Sequence, residues 1–264
     1  MSRLIIDDST PIDAHTSEEN KLLCGTLPRK FKYGEVPCAV AATVQTIPME
    51  QWPDLIADLA RKKATLKDVW RDSRIGVLHQ GQYLFCHGFS AVSGVMLERE
   101  IMGLPYVELS PSSVAAPVTG FTNAGACIED DLKQMTDVGV CDTTFVPMLT
   151  SNGRDFKPGW KANAAKNKVT LWGEIRPRNL LQHGSAILSG KPVPVARMWW
   201  GHAILDLVLH DLNTGLPATD ENRYGIEFLN SWGTTYGDGG FGIVSGSRKY
   251  ADSAYVIEQI SSGE

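Results

Sequence analysis

Apolar residues recur with helical spacing before the middle of the chain. Trp52, Leu55, Ile56 and Leu59 stand at i, i+3, i+4 and i+7, and the basic run 61–63 follows them. Basic side chains suit the negative end of a helix dipole, so this pattern predicts a short amphipathic helix. Two interpretations of its apolar stripe remain open: a removable pro-segment helix, or a permanent N-terminal layer of the fold.

A second helix is predicted to begin at Cys86. Phe89, Val92 and Met96 fall at i, i+3 and i+7, which gives the helix one apolar face. Gly103 supplies a stop signal after this run. The cysteine is therefore expected in the first turn of a helix.

A third helix is predicted over residues 127–137. The acidic run 129–131 suits its positive end, Leu132 and Met135 are predicted to face inward, and Gly139 ends it. Such a helix adds to the core of the same half of the molecule as the cysteine helix.

Two other stretches of the middle region carry weaker signals. Ser110-Pro111 is typical of an N-cap followed by proline in the first helical turn. Residues 151–168 are rich in Asn, Lys and Gly, and we expect a surface loop there.

The last third changes from helical spacing to runs that are typical of strands. Tyr224, Ile226 and Phe228 alternate along one side of a predicted strand. Further strands are predicted over residues 202–209, 241–244 and 255–260, and a short one within residues 36–47. Helices thus precede strands, which predicts an α+β fold with a helical half and a β half.

Composition excludes several classes of function. Hydrophobic residues make up 43% and charged residues 21% of 264, as in ordinary globular proteins, and the net charge is −5. Without a concentrated basic face, we do not expect nucleic acid as a partner. No run of about 18 apolar residues is present, so no membrane partner is expected. The N-terminus lacks an apolar segment of signal-peptide length. We therefore expect a cytoplasmic or otherwise intracellular protein that is not exported by the classical route.

The five cysteines do not form a metal-binding or disulfide pattern. They are odd in number and widely spaced, without a C-x-x-C pair: Cys24, Cys38, Cys86, Cys127 and Cys141. Structural zinc ligands usually come as closely spaced pairs, so no metal and no other cofactor is predicted. We expect the four cysteines other than Cys86 to be buried reduced thiols.

Cys86 has the properties of a candidate nucleophile. A thiol in the first turn of a helix ionises more easily, because the helix N-terminus favours negative charge. A cysteine nucleophile also needs a base, a group that orients the base, and donors for the developing oxyanion. Distant candidates are His202, at the start of a predicted strand, Asn230, and Gln80, six residues before the cysteine.

Three motifs resemble those of the papain-like cysteine peptidases. Residues 80–90 resemble the family's Gln-Gly-x-Cys-Gly-x-Cys-Trp-x-Phe-Ser, and His202-Ala203-Ile204 resembles its His-Ala-Val strand. Asn230-Ser231-Trp232-Gly233 matches its Asn-Ser-Trp-Gly. The resemblance spans about residues 70–260 and implies a prokaryote- or virus-type member without the usual secreted disulfides.

The resemblance implies a fold and a set of roles. The fold would have a helical left half and a β-barrel-like right half with the active-site cleft between them. Cys86 would be the nucleophile, His202 the base and Asn230 its orienting group. The Gln80 side chain and the Cys86 backbone N–H would form the oxyanion hole, and Trp232 would shield the His202–Asn230 bond from water.

The same resemblance implies residues that contact substrate. Gly125 stands in the remnant of the family's Gly-Gly strip, and Trp200 and Trp232 would lie beside the substrate. The chain departs from the family around the nucleophile. Its Leu84-Phe85 replaces a Gly-x pair, and His87 replaces a tryptophan, so its charge could tune the thiolate.

The chain is predicted to divide near residue 66. Residues 1–35 are polar and rich in turns, and we expect an arm that lies on the body of the protein. Residues 1–66 would form an N-terminal extension with the first amphipathic helix, and residues 67–264 the papain-like domain.

Three functions remain open from the sequence. The leading hypothesis is a papain-like cysteine endopeptidase that acts on a protein or peptide substrate. The alternative is a peptidase-fold structural or binding component of a larger protein assembly, with little or no turnover. Another acyl-transfer activity is the third.

Overall fold

The chain folds into a helical half and a sheet half that meet along one buried helix. The computed structural model describes residues 3–11, 24–36, 40–41 and 44–261. Its helices are α1 (Trp52–Lys62), α2 (Leu66–Asp72), α3 (Cys86–Ile101), α4 (Ser112–Val118), α5 (Ile128–Asp137), α6 (Trp160–Ala164) and α7 (Leu180–Leu188). Its strands are β1 (Ile5–Ile6), β2 (Val40–Ala41), β3 (Val169–Ile175), β4 (Val193–Arg197), β5 (His202–Asp211), β6 (Tyr224–Leu229), β7 (Phe241–Val244) and β8 (Ser253–Ile260). None of the described helices combines the length and apolarity needed to cross a membrane.

Helix α3 is the element shared by the two halves. It packs against α4 and α5 on one side and against β4, β5 and β8 on the other. The apolar face predicted from Phe89, Val92 and Met96 is buried. All the remaining positions from Cys86 to Arg99 are buried as well. Because the helix lies between two layers, it has no solvent face along most of its length.

The strands form one mixed sheet in the order β1-β7-β6-β5-β4-β8-β3-β2. The central pairs are antiparallel, and the two-residue strands at the ends, β1 and β2, pair in parallel with β7 and β3. No pairing joins the two ends among the described residues, so the sheet is open where a barrel-like half was predicted. The α+β class itself is confirmed.

A buried ion pair ties β4 to β5 at the centre of the sheet. Arg197 donates to both carboxylate oxygens of Asp206, at 3.1 and 2.7 Å, and neither side chain is exposed. The arginine lowers the pKa of Asp206 against the burial that raises it. This explains how the apolar run of β5 tolerates a charged residue, because a buried carboxylate is stable only when paired and hydrogen-bonded.

Helix α1 packs on the sheet half through Trp52, which is fully buried. Its indole meets the Tyr224 ring edge-on with centroids 5.0 Å apart, and its N–H donates to the Ile47 carbonyl at 3.0 Å. A Cβ added to Gly184 of α7 would stand 2.6 Å from the indole, so α7 approaches closely only because residue 184 has no side chain. This packing favours a permanent layer over a removable helix. The boundary at residue 66 stays a prediction.

Several sequence-based expectations differ from the structure in detail. Ser110 does not cap α4, because its hydroxyl donates to the Pro147 carbonyl and the helix begins at Ser112. The predicted loop over residues 151–168 contains the short helix α6. The strand predicted within residues 36–47 is limited to β2, and residues 37–39 and 42–43 lie outside the described part of the chain.

We expect Trp52→Ala to lower the free energy of unfolding by about 3–5 kcal/mol, because it removes a buried indole and leaves a cavity between α1, α7 and β6. Urea denaturation followed by circular dichroism measures this. Tyr106→Ala is the matched control, since that aromatic side chain is 39% exposed, and its effect should stay within about 1 kcal/mol. Equal losses in the two variants would contradict the packing role of Trp52.

Candidate active site

Cys86 begins α3, directly after Phe85 at the N-cap, and is fully buried. Burial raises the pKa of its thiol to about 11, although the backbone N–H groups of Ala203, Gly25 and His87 all lower it. Ala203 is the second residue of β5, so the start of that strand lies beside the sulfur. In this state the thiol is protonated at neutral pH.

His202 is the first residue of β5, and Asn230 follows the last residue of β6. The Nε2 atom of His202 lies 2.8 Å from Oδ1 of Asn230, which also accepts from the Ser231 N–H at 2.8 Å. Since Oδ1 accepts both bonds, Nε2 carries the hydrogen and Nδ1 is the basic nitrogen. Among the described residues, Nδ1 has no hydrogen-bond partner. This arrangement leaves one imidazole nitrogen able to take a proton.

Two tryptophans cover the imidazole. The Trp232 ring lies 4.7 Å from the His202 ring at a tilt of 32°, and the Trp200 ring lies 5.0 Å away. Burial lowers the pKa of His202 to about 4, with a smaller opposing effect of the bond to Asn230. Both indoles are themselves only 5% exposed, so substrate contact through Trp200 and Trp232 stays a prediction.

Gln80 is held at both ends of its side-chain amide. Its Oε1 accepts from the Ser231 hydroxyl at 2.5 Å, and its Nε2 donates to the Tyr83 carbonyl at 2.7 Å. The Gln80 backbone N–H also donates to the Ser231 carbonyl at 2.8 Å. Because Ser231 follows Asn230, the segment that orients His202 also fixes Gln80.

Residues 24–27, called the cleft segment below, lie across the nucleophile. The Gly25 N–H donates to Sγ of Cys86 at 3.2 Å, which places the backbone of residue 25 directly against the sulfur. A chain in this position excludes a substrate carbonyl from the thiol. The structure therefore shows the candidate site in an occluded state.

The cleft segment bridges both walls of the cleft through backbone hydrogen bonds. On the helical side, Ala126 donates to the Gly25 carbonyl and accepts from the Leu27 N–H, both at 3.0 Å. On the sheet side, the Thr26 N–H donates to the Gly201 carbonyl at 3.2 Å. Backbone groups make all these contacts, so the cleft segment is held on both walls through its main chain.

Two glutamates anchor the residues that follow the cleft segment. Glu129 of α5 accepts from the Lys30 N–H at 2.8 Å. Glu174 of β3 accepts from the Gly34 N–H at 2.8 Å and forms a largely buried ion pair with Arg29. These contacts lie on both halves and hold residues 29–34 across the body of the protein.

The walls beside Cys86 leave room only for glycine at residue 25 of this segment. A Cβ on Gly25 would stand 1.9 Å from the Leu84 carbonyl oxygen, and one on Gly125 would stand 2.2 Å from the Gly25 oxygen. The Leu84 backbone is fixed by its N–H bond to Asn123 Oδ1, at 2.8 Å. Gly125 thus lies in the cleft, as predicted, and its role in binding substrate stays a prediction.

His87 forms a buried pair with Asp131 of α5. Its Nδ1 lies 2.7 Å from Oδ2 of the carboxylate, and neither side chain is exposed. Burial raises the pKa of Asp131, although His87 opposes this shift. Asp131 in turn raises the pKa of Cys86, so a thiolate forms there against a nearby carboxylate. The predicted tuning of the thiolate by His87 stays a prediction.

The sequence analysis placed the motif residues but missed the group that occupies the cleft. Cys24, Gly25 and Thr26 show neither periodicity nor a motif, and they act through backbone atoms. The Ser231–Gln80 bond was also missed, although Ser231 stands inside the Asn-Ser-Trp-Gly motif. Cys127 and Cys141 are buried thiols, whereas Cys24 is half-buried and Cys38 lies outside the described residues.

No family model matches the sequence, and no curated protein sequence matches it. Solved structures do match the fold. Xylellain, a cysteine protease from Xylella fastidiosa, aligns with a TM-score of 0.61 and 18% identity over 90% of this chain and 96% of its own. Digestive procathepsin L 3 of Tenebrio molitor larval midgut aligns with a TM-score of 0.57 and 16% identity, over 70% and 67% of the two chains. The proform of Amb a 11, a cysteine protease and ragweed pollen allergen, aligns with a TM-score of 0.56 and 14% identity, over 76% and 65%.

These similarities establish a papain-like fold for the chain. They confirm the resemblance inferred from the sequence motifs at the level of the fold. Chemistry has to be argued from the site of this chain.

We expect Gly25→Ala to displace the cleft segment, because its Cβ cannot fit against Leu84. Water would then reach Cys86, and a fall of its pKa from about 11 to the ordinary 9.0 would raise the thiolate fraction, and the alkylation rate at pH 7, about a hundredfold. Iodoacetamide labelling of Cys86, followed by mass spectrometry, measures the rate.

Gly76→Ala is the matched control for this experiment. A Cβ at residue 76 meets no atom within 4 Å, so the same chemical change should leave labelling of Cys86 unchanged. Slow labelling in both variants would show that the cleft segment does not protect the thiol.

Docking of the cleft segment should be strongest between about pH 6.5 and 9. We expect lifting of the segment to expose His202, whose pKa burial lowers from 6.5 to about 4, so docking weakens as pH falls through that range. Burial raises the pKa of Cys86 from 9.0 to about 11, so docking also weakens as pH rises through that range. Each pH unit inside a window changes the docking equilibrium by up to about tenfold.

Hydrogen exchange of residues 24–27, corrected for intrinsic rates, tests this profile. His202→Gln should remove the acidic limb and keep the alkaline one. Exchange that is independent of pH from 4 to 9 would exclude the imidazole from the docking equilibrium.

Proposed function

We propose that the chain is a papain-like cysteine endopeptidase that its own cleft segment holds in a blocked state. The observation that carries the proposal is the His202–Asn230 hydrogen bond beside Cys86. Asn230 Oδ1 accepts from both His202 and Ser231, which leaves Nδ1 of the imidazole as the base.

The proposed first step is acylation of Cys86. With the cleft segment lifted, Nδ1 of His202 takes the thiol proton and the sulfur attacks the peptide carbonyl carbon. The carbonyl oxygen gains the negative charge and accepts hydrogen bonds from the Gln80 amide and the Cys86 N–H. The imidazolium then gives its proton to the leaving amine, and the C–N bond breaks.

Hydrolysis of the acyl-enzyme is the second step. His202 takes a proton from water, the hydroxide adds to the thioester carbonyl, and the C–S bond breaks. The sulfur leaves as a thiolate and recovers the proton from the imidazolium. Asn230 holds the imidazole in one tautomer through both steps without adding a buried charge.

A peptide substrate is supported by what already lies in the cleft. The segment is an extended backbone that crosses the thiol and continues on both sides of Gly25. A cleft that binds a continuous chain in this way suits cleavage within a chain, which supports endopeptidase action. The cysteine proteases with similar folds agree with this substrate class.

The test is made in the Gly25→Ala protein, because the cleft segment of the unaltered chain would block access of the substrate to Cys86. We expect the Gly25→Ala protein to cut a reduced, unfolded protein into internal fragments identified by mass spectrometry. Adding Cys86→Ala to the same background should abolish all cleavage. His202→Ala should lower kcat by at least about a hundredfold, because it removes the general base.

A defined result would favour the structural or binding alternative. If Cys86 of the Gly25→Ala protein alkylates rapidly while no substrate protein is cut, the site is accessible and activated but does not turn over. If fragments arise only by trimming from the ends, the peptidase is an exopeptidase and the endopeptidase assignment fails.

A further inference from the structure

Cys24 stands next to Gly25, one of the residues whose backbone N–H contacts the Cys86 sulfur. The Gly25 nitrogen lies 3.2 Å from Sγ of Cys86. By standard backbone geometry the Cα of residue 24 is about 2.4 Å from that nitrogen, so it lies within about 5.6 Å of the sulfur. The backbone hydrogen bond therefore brings the main chain of Cys24 close to the Cys86 sulfur.

The Cys24 side chain lies on the sheet wall of the cleft, close to the base. Its Cβ is 3.9 Å from the position that a Cβ on Gly201 would take, and Gly201 precedes His202. Burial raises the pKa of Cys24 to about 12, and the nearby Cys86 adds to the shift. Both cysteines are present as thiols.

We propose that Cys24 and Cys86 form a reversible disulfide that locks the cleft segment over the nucleophile. The bond would make occlusion depend on redox conditions, in addition to the noncovalent contacts of the segment. It rests on the proposed function only in that Cys86 is taken as the nucleophile. Formation of the bond is a property of the two thiols and does not require turnover.

The chemistry balances with a low-molecular-weight disulfide, RSSR, as the oxidant. The Cys24 thiolate attacks one sulfur of RSSR, forms a mixed disulfide and releases RS⁻. The Cys86 sulfur, after giving its proton to His202, attacks the Cys24 sulfur and releases a second RS⁻. The two thiol protons end on the two RS⁻ groups, and the cysteine pair is oxidised as RSSR is reduced.

The order of these steps follows from exposure. Cys24 is half-buried, whereas Cys86 is fully buried beneath the segment, so the reagent reaches Cys24 first. The second step needs no reagent at Cys86, because Cys24 delivers the reactive sulfur to it. A Cys–Cys link requires Cα atoms about 4.4–6.8 Å apart, and the Cα of Cys24 already lies within about 5.6 Å of the Cys86 sulfur.

The remaining described cysteines hold other positions. Cys127 donates its thiol hydrogen to the Pro28 carbonyl at 2.9 Å, and Cys141 lies 3.1 Å from Asn163 Oδ1. Both are buried and on the helical side. They serve as internal comparisons for the reaction of Cys24 with Cys86.

The experiment oxidises the full chain with oxidised glutathione, blocks remaining thiols with N-ethylmaleimide, and digests the protein with trypsin without reductant. We expect a linked pair of peptides, residues 22–29 with residues 75–99, that dithiothreitol separates. Cys24→Ser should abolish the link, and Cys127→Ser should preserve it. A stable glutathione adduct without a link, or a link from Cys86 to another cysteine, would overturn the proposal.

A second readout follows accessibility of Cys86 before and after oxidation, with each variant compared with its own reduced form. Labelling of Cys86 by iodoacetamide in the wild type should be lost on oxidation and return with dithiothreitol. In the Cys24→Ser protein, oxidation should not cause a loss of Cys86 labelling that accompanies the linked peptide pair and is reversed by dithiothreitol.

The two proposals fail separately. If the protein forms the link but never cuts a peptide, the proposed Cys24–Cys86 disulfide stands and the peptidase assignment fails. If the protein cuts peptides but forms no link, the peptidase assignment stands and the proposed disulfide fails.

Discussion

Exclusion of water from the Cys86 sulfur is the constraint on which the rest of the site depends. Three backbone N–H groups point at the sulfur, yet burial outweighs them, and the pKa of the thiol rises. The same desolvation keeps His202 neutral. The proposed nucleophile and the proposed base are thus both uncharged in the occluded state. The cleft segment contributes to this state, because the backbone of Gly25 lies directly against the sulfur.

The protein groups of the site are already assembled in the occluded state. Asn230 orients His202, Ser231 fixes Gln80, and the start of β5 lies beside the nucleophile. These contacts join the helical and sheet halves across α3 and do not involve the cleft segment. In this structure the cleft segment therefore blocks the thiol while the bonds that hold His202 and Gln80 are already formed.

Sequence patterns predicted the parts of the molecule whose signals are local. The helices at Trp52 and Cys86 and the strands that begin at His202 and Tyr224 have clear periodicity, and the motif residues lie where that periodicity implied. Strand β4 was missed because Pro192 and Pro194 interrupt its apolar run, and proline is unusual within a strand. The open ends of the sheet depend on two-residue strands, which are too short for a periodic signal.

The occupant of the cleft could not be predicted for a different reason. Gly25 contacts a residue 61 positions away through its backbone N–H, a group that nearly every residue possesses. Backbone contacts leave no signature in residue type. The only trace is the absence of a side chain at Gly25, and glycine has many other uses in a turn-rich arm. The His87–Asp131 pair was similarly hidden, because Asp131 in the first turn of α5 looked like a dipole-compensating surface acid.

The cleft segment is tethered at both ends, and this affects how it could be removed. Before it, β1 adds to β7 at one end of the sheet; after it, β2 adds to β3 at the other. A single cut between these anchors would leave at least one piece joined to the body at high effective concentration, so the occluding residues could not simply be diluted away. Permanent removal would take two cuts, one on each side, whereas transient opening would need none. The topology thus favours reversible displacement of the cleft segment over its permanent removal by proteolysis.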